Sequence, residues 1–258
     1  MSSWIVAKSR PSNKKPSVSK YHDASLSTDL FAMYMDYIAS YIYSQKMGEV
    51  CNVWDGDGLI KSTLRLNPQI KLLKEKPEAP VLTTVDYASI VSNMNLKEIQ
   101  KAAGSVMIYD NSLNQTVVRT LEKAGIRAAF DIGIHLIKNP SGPDLGLFKK
   151  YASLIKTFQA KAKKDTLNIY IMSDSYSEVS HFNTYCDSSW KIVSLSKTPA
   201  KDEDAAFVQT MADVQIMTAV PNLILDFSRP VDRFIYLMQR NPKMSYFVEM
   251  NEQQWSLL

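Results

Sequence analysis

Glycine is scarce in this chain, at 8 of 258 residues. A glycine-dense phosphate loop or a glycine-repeat architecture is therefore not expected. Cysteine is scarcer: Cys51 and Cys186 are the only two. Two thiols make no disulfide framework, and a zinc site built on them would need added His or carboxylate ligands. They read as buried reduced thiols, which points to a reducing compartment and a cytoplasmic location. The three histidines, His22, His135 and His181, are too dispersed for a local metal motif. No apolar run approaches the ~18 residues of a membrane span. The N-terminal basic residues (Lys8, Arg10, Lys14, Lys15, Lys20) sit among Ser and Pro without an apolar segment after them, unlike a secretory signal. The sequence has no Gly-x-x-x-x-Gly-Lys-Ser/Thr, no Gly-x-Ser-x-Gly and no His-Glu-x-x-His. The basic stretches at 8–20 and 71–76 lack interleaved aromatics, so nucleic acid is not an expected partner.

What is present is globular. Hydrophobic residues make up 45% and charged residues 22%, which excludes a disordered chain. The length suits one large domain or two lobes of about 110–150 residues. A net charge of +4 is compatible with a phosphorylated ligand without requiring one. Apolar spacing predicts a long helix over Asp29–Lys46, capped by Ser27 or Thr28 and stopped by Gly48. Strands are expected at Trp4–Ala7, Val50–Trp54, Val81–Val85, Val106–Tyr109, Ala128–Ile137, Leu167–Met172, Lys191–Leu195, Asn222–Asp226 and Met244–Val248. Helical segments at 87–103, 112–124, 144–163, 176–186, 205–220 and 231–240 alternate with them. Such alternation means βαβ units and parallel sheets covered on both faces. The expected division is an N-terminal α/β lobe, 1–127, and a C-terminal α/β lobe, 128–258, facing a cleft. In open α/β sheets ligands sit at the carboxyl ends of strands, so the residues there carry the chemistry.

Three strand ends stand out. Gly133-Ile134-His135-Leu136-Ile137-Lys138-Asn139 puts an imidazole, a cation and an amide at one end. Met172-Ser173-Asp174 puts a carboxylate where a base edge or ribose can meet it, or where it caps the next helix. Asp226-Phe227-Ser228-Arg229-Pro230-Val231-Asp232-Arg233 runs from a strand into a helix N-terminus flanked by Arg229 and Arg233. Helix N-termini bind phosphates through free N–H groups and the dipole, and Pro230 suits the first turn. A fourth segment, Asp55-Gly56-Asp57-Gly58, follows a strand. It reads as an Asp-Gly turn, as the metal-binding Asp-x-Asp of metal-dependent glycosyltransferases, or as the nucleophile and acid pair of haloacid-dehalogenase phosphatases.

The order of these segments resembles the fucosyltransferase superfamily that includes protein O-fucosyltransferases, α1,6-fucosyltransferases and nodulation enzymes. The resemblance spans most of the chain. Gly133-Ile134-His135 matches a Gly-Val-His-x-Arg strand ending. Met172-Ser173-Asp174 matches a Ser/Thr-Asp ending, and Asp226-Phe227-Ser228 with Arg233 matches a Ser-Phe-Ser-like turn before an Arg-bearing helix. The early loop-to-helix segment would be Asp23–Phe31, without the family's glycines. The family's arginine two residues after the His is Ile137 here, with Lys138 next.

The resemblance implies a GT-B fold, α/β, with two Rossmann-like lobes. It implies a glycosyltransferase that uses a nucleotide-diphosphate sugar, GDP-sugar favoured, as co-substrate, without a metal or other cofactor. The acceptor would be a glycan or protein hydroxyl. The donor-binding residues would be Asp174, Asp226, Phe227, Ser228, Arg229 and Arg233. The catalytic candidates are His135, Lys138 and Asp29, and no residue stands out as the general base. Two other readings stand beside it: a non-catalytic two-lobed binding relative, favoured by Ile137, and a Mg²⁺-dependent phosphatase or transferase centred on Asp55 and Asp57.

Overall fold

The structure is a computed structural model, and it describes residues 20–26, 29–126, 129–139, 141–240 and 243–247. Two parallel sheets organise it. The first joins β1 (His22–Asp23), β2 (Cys51–Trp54) and β3 (Ile70–Leu72) in that order. The second contains β4 (Ile132–His135), β5 (Leu167–Met172), β6 (Trp190–Val193), β7 (Asn222–Leu225) and β8 (Met244–Phe247), in the order β6-β5-β4-β7-β8. The chain winds outward from β4 through β5 to β6, then returns to the other side of β4 for β7 and β8. The order therefore reverses between β4 and β7, and all pairings are parallel.

Period-two alternation with both faces apolar explains the second sheet. Ile132 and Ile134 of β4, Ile169 and Ile171 of β5 and Ile224 of β7 pack with α6 (Leu145–Ala162) and α7 (Tyr176–Asn183). The intervening Tyr170, Met172, Leu223 and Leu225 belong to the opposite core, shared with α8 (Glu203–Ala219) and α9 (Pro230–Met238). At Gly133 a Cβ would lie 2.8 Å from Met217 Sδ and 2.9 Å from Leu223 Cδ2, so the missing side chain lets α8 approach β4 closely.

The long first helix, α1 (Leu30–Met47), is buried almost all round, including Tyr34, Tyr37 and Ile38. A helix apolar on every side belongs in a core. It packs against α3 (Thr84–Val91), α4 (Leu96–Val106) and α9. The Phe31 and Tyr34 rings lie 5.4 and 5.6 Å from Phe234, which is itself fully buried. Burying one such aromatic contributes about 1.5–3 kcal/mol. With α5 (Asn111–Lys123) on α8, these contacts give the two sheets one continuous core.

The expected α/β class with parallel sheets is what the chain adopts. Several local expectations need correcting. Val81–Val85 is not a strand: Val81 makes a single bridge to Tyr21, and α3 begins at Thr84 behind a Thr83–Asp86 capping box. Val106–Tyr109 is not a strand either. Val106 ends α4, and Tyr109 makes one antiparallel bridge to Leu64. The helical stretch 87–103 is two helices, broken where Asn95 caps α4 with Glu98. The strand expected over 128–137 is confined to Ile132–His135. The cap of α1 is Asp29, whose Oδ1 accepts from Phe31 N and Ala32 N. Short β1, β3 and α2 (Leu59–Thr63) carry too few apolar repeats to stand out in the sequence. The strand expected at Trp4–Ala7 lies outside the described residues. Among the described residues, no helix is long and apolar enough to cross a membrane.

Candidate functional site

The strand order reverses beside β4, and the residue at that strand's carboxyl end is His135. Its Nδ1 lies 2.7 Å from Asp232 Oδ1. Asp232 is fully buried in the first turn of α9, and its Oδ2 accepts from Asp226 N at 2.8 Å. Tyr151 Oη donates to the His135 carbonyl at 2.8 Å, which fixes the strand end from the α6 side. With Nδ1–H given to Asp232, Nε2 is the ring atom left to meet a ligand. Burial alone would lower the His135 pKa. Asp232 beside it, with Asp213 and Asp174 further away, outweighs burial and raises it above the ordinary value.

A cavity of 570 Å³ lies over these strand ends. His135, Met172, Ser173 and Asp174 form part of its wall. Asp29 and Phe31 reach it from the start of α1, and Thr210 and Asp213 from α8. The volume falls in the range of small-molecule sites, about 300–1,000 Å³. Its charged lining consists of carboxylates and one imidazole; among the described residues no Lys or Arg lines it.

Asp213 is the least foreseeable member. It is 4% exposed, sits mid-helix between Ala212 and Val214, and its Oδ1 accepts from Tyr170 Oη. Burial pushes its carboxyl up to about 7; the Tyr170 hydrogen bond and His135 oppose that shift. It is therefore a group that holds or releases a proton near neutrality. The sequence signal for it was a lone carboxylate on an otherwise apolar stretch of helix.

The sequence-derived candidates divide into two groups. Asp29, His135 and Asp174 converge on the cavity. Asp174 is not a helix cap: Ser175 occupies that position, and the Asp174 carboxylate accepts from Lys138 N at 3.4 Å. Lys138, Asp226, Phe227, Ser228, Arg229 and Arg233 do not line the cavity. They adjoin it through their neighbours: Val231, between Arg229 and Arg233, lines it, and Lys138 N is bonded to Asp174. Asp226 Oδ1 accepts from Ser228 N at 2.9 Å, closing the turn before α9. Phe227 packs on Tyr236 at 5.2 Å. Ser228 and Arg229 are exposed. Arg233 is half-buried, and its Nε is buried with no hydrogen-bond partner among the described residues.

The Asp55-Gly56-Asp57-Gly58 segment serves α2. Asp55 Oδ1 and Oδ2 accept from Ile60 N at 3.2 Å and Lys61 N at 2.8 Å, and Asp57 is exposed. Among the described residues, no three His, Cys, Asp or Glu side chains converge as a metal site would require.

Comparison with known proteins rests on shape. No protein-family profile and no curated protein matches the sequence. Solved structures do match. The fucosyltransferase NodZ from Bradyrhizobium superposes with a TM-score of 0.56 at 10% identity, over 88% of this chain and 93% of that one. NodZ α-1,6-fucosyltransferase co-crystallised with GDP gives 0.54 at 10% identity, over 88% and 92%. A variant of Arabidopsis thaliana FUT1 in complex with GDP gives 0.59 at 10% identity, over 87% and 69%. The chain thus shares the α/β fold of these fucosyltransferase structures.

Proposed function

We propose that this protein is a glycosyltransferase that passes a sugar from a nucleoside-diphosphate sugar, GDP-sugar favoured, to a hydroxyl of a glycan or protein. The observation that carries the reading is the Asp232-held His135 at the switch point of the second sheet, facing a cavity lined by carboxylates. It is supported by a fold likeness to fucosyltransferases whose structures hold GDP. In this reading Asp213, Asp174 and His135 Nε2 meet the N–H and hydroxyl groups of base and ribose. The diphosphate lies on the neighbouring flank, at the N-terminus of α9. There the free N–H groups, Ser228, Arg229 and Arg233 offset the charge that develops as the nucleotide leaves. Lys138, exposed after β4, is a further candidate cation for the diphosphate. Residues 1–127 would carry the acceptor and 128–258 the donor, and the reading needs no metal.

The test is a thermal-shift panel of GDP-, UDP-, dTDP- and CMP-sugars. A ligand at a hundredfold excess over Kd stabilises the folded state by about 2.7 kcal/mol. The proposal expects a shift with a GDP-sugar, and no shift with any of the four would overturn it. A second reading has its own observation. Ile137 is half-buried where the resemblance implies an arginine, and no cation lines the cavity among the described residues. A binding protein without turnover fits that. Release of free sugar from a bound GDP-sugar separates the two: hydrolysis supports the transferase, and binding without hydrolysis or transfer supports the relative that only binds.

A further inference from the structure

A second cavity, of 510 Å³, adjoins the first; Tyr176 and Gln209 line both. The two differ in sign. The first presents Asp29, Asp174 and Asp213. The second presents Lys123 and Lys197 and has no carboxylate in its lining. Among the described residues neither lysine is in an ion pair. The two cations come from different parts of the chain, Lys123 from the end of α5 and Lys197 from the turn that follows β6.

The floor between them is apolar, made by Ile126, Val179, Ile192 and Leu195. The site lies at the C-terminal end of α5, the negative end of its dipole, so the lysines must outweigh it. The α5 carbonyls at Thr120, Leu121 and Glu122 already accept from Ala124 N, Ile126 N and Gly125 N, so these three are paired within the chain. The hydroxyls of Thr120 and Thr198 add donors next to the lysines. An apolar floor with a few polar groups at its rim is the usual make-up of a small-molecule site.

We propose that this second cavity binds a phosphate monoester carrying an apolar or aromatic body. The phosphate lies between Lys123 and Lys197, and the body rests on Ile192 and Leu195. Two lysines act as point charges that offset the nearly two negative charges of a phosphate monoester, where a carboxylate carries one. The proposal stands apart from the nucleotide-sugar reading, because it uses none of the residues assigned to the donor.

Phenyl phosphate is the probe, titrated into the ¹⁵N-labelled protein, with phenol and inorganic phosphate as separate arms. The expected result is saturable shifts of the Ile126, Ile192 and Leu195 amides, with phenyl phosphate binding more tightly than either fragment. Replacing both lysines (Lys123→Ala with Lys197→Ala) should weaken binding by about tenfold or more, as for a lost charge-assisted contact. The Lys123→Arg with Lys197→Arg variant should keep most of it. Saturating GDP should leave the site open. Unshifted cavity amides, or wild-type binding by the double alanine variant, would overturn the proposal. So would displacement by GDP or loss of binding in Arg233→Ala, either of which would assign the probe to the first cavity and its flank.

Discussion

Asp232 joins two strand ends with one carboxylate: Oδ1 holds His135 Nδ1 at the end of β4, and Oδ2 holds Asp226 N at the end of β7. These are the two strands between which the sheet order reverses. A fully buried acid in the first turn of α9 thus fixes both the tautomer of the histidine and the path of the turn that leads into the helix.

Asp232→Asn should therefore lower the His135 pKa, because burial would then act against the imidazolium without its closest counter-charge. The folded state should lose roughly 1–3 kcal/mol, since the buried groups keep only part of their hydrogen bonding. NMR titration of the His135 ring and chemical denaturation measure the two effects. An unchanged His135 pKa would mean that Asp213 and Asp174 govern the ring.

The second prediction concerns acid. His22, the first residue of β1, is 5% exposed, its Nε2 has no hydrogen-bond partner among the described residues, and burial, opposed only by Asp23, lowers its pKa to about 4. The folded state keeps this ring neutral where the unfolded chain protonates it. Its contribution is thus fully present above the ordinary value near 6.5 and is lost as the pH falls towards 4. The loss is about 3 kcal/mol, at about 1.4 kcal/mol for each pKa unit. His135 and Asp213 are both raised, so theirs run the other way, fading as the pH climbs through their folded values. The measurement is the stability of His22→Leu against wild type between pH 7 and 4. The variant should show a shallower acid loss, and parallel curves would remove His22 from the acid response.

Gly133 supplies a third. A Cβ there meets Met217 Sδ and Leu223 Cδ2 inside 3.0 Å. Both are side-chain ends, so Gly133→Ala should cost only about 1 kcal/mol, whereas Gly133→Val should cost about 1–3 kcal/mol by forcing α8 off the sheet. Denaturation midpoints of the two variants check the order. Equal, negligible losses would show that Met217 and Leu223 repack freely.

How much of this was legible in the sequence follows from the length of each signal. The second sheet announced itself because its strands are apolar on both faces and separated by long helices, and Leu167–Met172 falls where the apolar run predicts it. The first sheet did not. β1 and β3 have two and three residues, too few to show a period. Val81–Val85 looked β-branched and apolar, yet the Thr83–Asp86 capping box decides for helix. The strand-end residues His135 and Asp174 were visible because chemistry-bearing residues directly followed apolar runs. Asp213 and Tyr170 were hidden in the middle of elements. Their partnership depends on how α8 crosses β5, a contact between residues 43 positions apart.

Two segments of the sequence compete as the donor site: the start of α9, and Asp55 with Asp57 through a bound cation. Asp55 uses both carboxylate oxygens on the backbone N–H groups of α2. Asp55→Ala should thus behave as a lost helix cap, costing about 0.5–2 kcal/mol of stability. Asp55→Asn should cost less, and neither should move affinity for GDP. Arg233 and Ser228 stand at the N-terminus of α9, where the dipole already favours an anion. Arg233→Ala and Ser228→Ala should each weaken GDP binding by roughly 1–3 kcal/mol, the size of a lost charge-assisted contact. The fold should survive both, since Ser228 is exposed and Arg233 only half-buried. Calorimetric titration with GDP, in buffer and in excess EDTA, reads all four variants. Binding that persists under chelation and falls only in the α9 variants supports the flank of His135 as the donor site. Binding lost on chelation, restored by Mg²⁺ or Mn²⁺ and abolished by Asp55→Asn would move the chemistry to Asp55 and Asp57, because only a cation held there explains both effects.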